Sequence, residues 1–175
     1  MEIRAELLKE HSLQNTLRIV DFACVSEENF DQLIQCFLSN EYRVAQRAAW
    51  AVSYVASKKA SFIIPYIEDL VGQLTKKGVH NAVVRNSARI LQQVDIPVAL
   101  HGELMNTCFA FIEAHETPIA IKAFSLTILN NLAKIYPEIK PELQLIIEER
   151  WEIETPAFRS RAKKILGGGE LKFKV

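Results

Sequence analysis

Three kinds of side chain in this sequence could carry chemistry, and their spacing argues against most of it. The four histidines, His11, His80, His101 and His115, stand on different segments without a His-x3-His pair, and no Cys-x-x-Cys is present. Metal centres need ligands that converge at such spacings, so no metal is expected and the histidines read as exposed or capping residues. Carboxylates gather at Glu27-Glu28-Asp31 and at Glu148-Glu149-Glu152-Glu154. Paired acid and base catalysis requires two carboxyls in different environments. Glu148 and Glu152 instead share a helix face, with Arg150 and Lys140 nearby, as on a solvated outer surface. Cys24, Cys36 and Cys108 are odd in number and set in apolar stretches such as Thr107-Cys108-Phe109-Ala110-Phe111. With no activating base at helical spacing they read as core thiols of a reducing compartment. No catalytic residue and no cofactor is expected.

What remains is binding chemistry. Arg43, Arg47, Trp50 and Tyr54 follow one another at intervals of four, three and four residues, which is one stripe of a helix. Arg85, Arg89 and Gln93 make a second stripe; Lys122 and Asn130, then Arg159 and Lys163, continue the register. Cations interleaved with aromatic rings suit an extended anionic partner. An acidic protein segment or helix would use the cations as rim pairs around an aromatic anchor. A nucleic-acid backbone would use them for phosphates, with Trp50 or Tyr54 stacking, although nothing here favours base reading. The same residues also admit an architectural reading, with cations paired to acids of neighbouring turns and Trp50 packed between elements.

The elements that must position these side chains are written in a repeat. Ala45-Gln46…Ala49…Val52 returns as Val84-Arg85…Ala88…Leu91, Ile121-Lys122…Ser125…Ile128 and Phe158-Arg159…Ala162…Ile165, at offsets of 39, 37 and 37 residues. A worn copy, Leu13-Gln14…Leu17…Val20, precedes them. Each copy is one stripe of a helix, so the period predicts a stacked helical hairpin. Breaks at Ser12, Ser26, Asn40, Ser61, Gly78, Asp95-Ile96-Pro97, Thr117-Pro118, Pro137 and Thr155-Pro156 predict ten helices, over 2–10, 12–25, 27–39, 42–58, 62–77, 79–94, 98–115, 117–135, 138–153 and 155–166. Paired in order, they give five antiparallel hairpins, near 2–25, 27–58, 62–94, 98–135 and 138–166, forming a single domain over 1–166. Residues 167–175 read as a Gly-rich hinge and a short tail in which Leu171, Phe173 and Val175 alternate with Lys172 and Lys174.

Formal net charge is zero over 175 residues, which excludes a global field that recruits nucleic acid or anionic lipid. The charge is nevertheless sorted: taken together the first helices of the hairpins are net acidic and the second helices net basic, with the first helix of the third hairpin and the second helix of the first hairpin each balanced. The start of the chain lacks an apolar signal core, and no run approaches the ~20 apolar residues of a membrane span. A cytoplasmic protein without membrane attachment is expected.

The segment Asn40-Glu41-Tyr42-Arg43-Val44-Ala45-Gln46-Arg47-Ala48-Ala49-Trp50-Ala51-Val52 resembles the second-helix signature of HEAT repeats, with Ala45 where that family usually has Arg and Ser53 where it often has Gly. Val84-Arg85…Ala88 and Thr117-Pro118…Ile121-Lys122 are looser matches. The resemblance covers about residues 27 to 166. It implies an all-α fold, a right-handed α-solenoid of about five HEAT-like antiparallel helix pairs, with second helices lining a concave side. It further implies a non-catalytic interaction module, so that a basic concave face gripping an acidic protein segment is the leading expectation. Some HEAT-like proteins remove alkylated bases from DNA, which keeps a nucleic-acid backbone binder as the alternative. That activity needs a carboxylate inside the groove, and the second helices hold only Asp21.

Overall fold

The computed structural model describes residues 1–167 and is helical, with no strand among them. Ten α-helices are present: α1 (Ile3–Lys9), α2 (Leu13–Ala23), α3 (Glu27–Leu38), α4 (Tyr42–Lys58), α5 (Ile67–Thr75), α6 (Asn81–Leu91), α7 (His101–Glu113), α8 (Ile119–Ile135), α9 (Lys140–Arg150) and α10 (Pro156–Ile165). All ten fall within the segments that the punctuation predicts. Side-chain caps explain several starts: the hydroxyls of Ser12, Ser26 and Thr155 accept from the amides of Asn15, Asn29 and Phe158. Each supplies an acceptor to an amide that no helical carbonyl can reach. His80 does the same for α6, its Nδ1 accepting from the Ala82 amide at 3.0 Å.

Three helices begin later than the sequence suggests. Residues 60–66, 98–100 and 137–139 form 3-10 turns ahead of α5, α7 and α9. Pro65, Pro97 and Pro137 lie in or beside these turns and have no N–H to give the α-helical ladder. The turn between α5 and α6 passes through Gly78 at φ 77°, a left-handed conformation that penalises any residue carrying a Cβ.

The chain divides into two compact units, Met1–Asp95 and Ile96–Val175; the boundary falls in the Asp95-Ile96-Pro97 break. In the first unit α1, α3 and α5 are the first helices of three hairpins, and α2, α4 and α6 the second. The second helices form a contiguous layer, α4 packing against both α2 and α6. In the second unit α7 pairs with α8, and α10 packs against α8.

The repeat register is a core signature. Ala45, Ala49 and Val52 are buried, as are Val84, Ala88 and Leu91, and Ile121, Ser125 and Ile128. The worn first copy is different. Leu13 and Leu17 are 50% and 37% exposed, and α2 buries Thr16, Val20 and Ala23 instead. Thr16, Val20 and Ala23 repeat the spacing of Ala45, Ala49 and Val52, so the first copy of the core register lies at Thr16 and not at Leu13. The expected hinge and tail lie, apart from Gly167, outside the described residues.

Candidate interaction surface

Two second helices of the first unit, α4 and α6, carry charge of one sign. Helix α4 holds Arg43, Arg47 and Lys58, α6 holds Arg85 and Arg89, and neither contains an Asp or Glu. Acids sit in the first helices: Glu27, Glu28 and Asp31 on α3, Glu68 and Asp69 on α5. This sorting leaves three arginines open. Arg43, Arg85 and Arg89 are exposed and form no ion pair with the described residues.

Two other cations are committed. Arg47 is half-buried, and its Nη1 donates to the carbonyls of Leu7 and Leu8 at 2.8 and 2.9 Å. It closes the C-terminal end of α1, where carbonyls lack helical donors and the helix dipole favours a cation. Lys58 Nζ lies 3.2 Å from Asp21 Oδ1. Trp50 and Tyr54 are half-buried on the outward side of α4, ring centroids 5.9 Å apart, and Trp50 meets His11 edge-on at 6.2 Å. The alanines around Trp50 are core, but the indole lies at the surface. Gln93, just past α6, is exposed.

In the second unit the expected site residues part company. Lys122 is 4% exposed and its Nζ sits 2.6 Å from Glu154 Oε1, which also accepts from Arg150 Nη2 at 2.8 Å. A buried, paired ammonium is not part of a surface groove. The repeat position that presents Arg85 to solvent carries in Lys122 a structural pair instead. Glu154, which the sequence groups with Glu148, Glu149 and Glu152, is buried through this pairing. Burial raises its carboxyl, but hydrogen bonds and charge from Lys122 and Arg150 outweigh that and hold it below the ordinary carboxylate value. Arg150 also donates to the Glu113 carbonyl at the end of α7, much as Arg47 does for α1. Asn130 is half-buried on α8. Arg159 and Lys163 do come together, lining with Ser160, Pro156 and Trp151 an open cavity of about 470 Å³.

The remaining chemistry-bearing residues are structural. His101 is a second correction: it is buried, with Nδ1 3.0 Å from the Tyr136 hydroxyl and Nε2 2.8 Å from the Ile96 carbonyl. Its neighbours come from a turn and a distant helix end, which spacing alone cannot pair. Cys108 is fully buried, and burial pushes its thiol up to about 12. Cys24 and Cys36 are half-buried, and loss of hydration raises both. Among the described residues no three His, Cys, Asp or Glu side chains gather to hold a metal ion. None of the described helices is long and apolar enough to cross a membrane.

The HEAT repeat domain family model matches residues 3–168, nearly the whole chain and both units. The chain belongs to the HEAT repeat family. No curated protein and no solved structure matches it. HEAT repeats generally serve as protein-interaction scaffolds, and the fold here is an all-α solenoid of helix pairs. The sequence placed a cation at the surface correctly where no acid lay within reach, as at Arg43, Arg85 and Arg89. It failed at Lys122, whose partner lies 32 residues away.

Proposed function

We propose that this HEAT repeat protein is a non-catalytic interaction module whose second helices bind an acidic segment of another protein. One observation carries the reading. Arg43, Arg85 and Arg89 stand in solvent on adjoining helices, α4 and α6, that contain no carboxylate, and α4 also carries the half-buried rings of Trp50 and Tyr54. Unpaired cations near an aromatic anchor supply electrostatic steering and a desolvated contact together. In the second unit Arg159 and Lys163 make a separate cationic pair on α10, whereas Lys122 and Arg47 support the scaffold. Three free thiols suit a reducing compartment such as the cytoplasm.

The test is a comparison of wild type with the Arg85→Glu, Arg89→Glu double variant against fluorescent polyglutamate. Binding at low salt should fall at least about tenfold in the variant, because two attractive charges become repulsive. Equal binding by both proteins would refute the role of this face. Tighter binding of duplex DNA than of polyglutamate, with a steep salt slope, would replace the acidic protein with a nucleic-acid backbone.

A further inference from the structure

The apolar side chains that α2 leaves in water are aligned with the rings of α4. His11, just before α2, meets Trp50, and Asp21 near its end meets Lys58 at the end of α4, so the two helices run parallel in fixed register. One turn back from the Asp21–Lys58 pair, Leu17 and Tyr54 are level; one turn further back, Leu13 and Trp50 are level. The four form two short ridges along adjoining helices with a furrow between them. Leu13 and Leu17 are 50% and 37% exposed, and the core register of α2 does not use either.

Charge around the furrow is uneven. On the α1 side Arg47 is spent on the Leu7 and Leu8 carbonyls, and Lys58 is spent on Asp21. Open cations lie on α4 and α6, at Arg43, Arg85 and Arg89, and at Lys59 just past α4 near the end of α2. A furrow between two parallel helices accepts a third helix by ridge-and-groove packing. Its length, from Leu13 to Asp21, is about 12 Å, a little over two helical turns.

We infer that this furrow docks an amphipathic helix of a partner protein, its apolar stripe on Leu13, Leu17, Trp50 and Tyr54 and its carboxylates over Arg43, Arg85 and Arg89. The inference rests on the acidic-segment reading above and deepens it: a uniformly acidic chain would leave the leucines in water, and an uncharged helix would leave the arginines unused. The occupant therefore carries both stripes.

Two synthetic peptides of about 14 residues decide the matter. One has Leu at helical i, i+3, i+4 and i+7 positions with Glu elsewhere; the other has the same composition in an order that destroys the stripe. The striped peptide should bind at least about tenfold more tightly by fluorescence anisotropy. The Leu13→Ser, Leu17→Ser variant should keep the wild-type circular dichroism and thermal midpoint, since both side chains are surface groups. It should lose the striped peptide's advantage while binding polyglutamate as before. Equal affinity for the two peptides, or an unaffected variant, would overturn the furrow and leave the cationic face standing. Failure of both peptides and of polyglutamate would remove the acidic-segment reading as well. Self-association of the peptide-free protein that the double serine variant abolishes would assign the furrow to a second copy of this chain and overturn the inference.

Discussion

At the residue scale, the same repeat position does opposite things. Arg85 points a charge into water, and Lys122, 37 positions later, takes its charge into the interior to meet Glu154 and, through it, Arg150. Removing one member of a buried pair leaves an uncompensated charge, which costs about 3 to 5 kcal/mol. Glu154→Gln should therefore lose about that much in urea unfolding, and Lys122→Met less, because Arg150 still neutralises the carboxylate. The pH dependence has a definite sign. Glu154 ionises in the fold below its ordinary value of 4.5. Its contribution is complete above that value and drains away as pH falls through the lower folded one. The gap between wild type and Glu154→Gln should be widest near neutrality and should close in acid. A cation in the register is legible from sequence, but its fate is not, because the acid that captures it comes from a different hairpin. His101 is similar: its two partners become neighbours only after α7 and the end of α8 have packed.

At the element scale, ten helices and their order were legible because caps, prolines and period are local signals. What was not legible is where a proline delays the α-helical ladder, and which leucines of α2 face the core. Apolar spacing alone cannot distinguish Leu13-Leu17 from Thr16-Val20, and only contact with α3 and α4 settles the choice. Element ends also depend on distant donors. Arg47 reaches across 39 and 40 positions to the last carbonyls of α1, a helix of seven residues that is too short to persist without tertiary support. Arg47→Ala should fray α1 and cost about 1 to 2 kcal/mol, with the loss concentrated in hydrogen exchange of residues 5–9. Binding of polyglutamate should change much less than in the Arg85→Glu, Arg89→Glu variant, since Arg47 already has partners. A drop of equal size in both would show that Arg47 serves the ligand as well as the helix.

At the scale of the whole molecule, a formal charge of zero says little about how the protein meets charged surfaces. In the first unit acids lie on α3 and α5 and cations on α4 and α6, so each layer has a strong local field while the total cancels. The protein should bind a cation exchanger at pH 7 and low salt despite its neutrality, and the Arg85→Glu, Arg89→Glu variant should elute earlier. Passage of the wild type through such a resin unretained would contradict an accessible cationic layer. This sorting was legible in sequence once charges were assigned to first and second helices, because hairpin alternation fixes the layer of each. The layered charge also governs the protein's behaviour towards copies of itself. Near the isoelectric point of about 6.9 that its sequence sets no net repulsion separates the molecules, and the acidic layer of one is an imperfect ligand for the cationic layer of the next. Dissolved ions screen that attraction over about a nanometre. Added salt should therefore disperse the protein, a salting-in response, and an acidic ligand of the kind proposed should have to compete with the protein's own acidic helices.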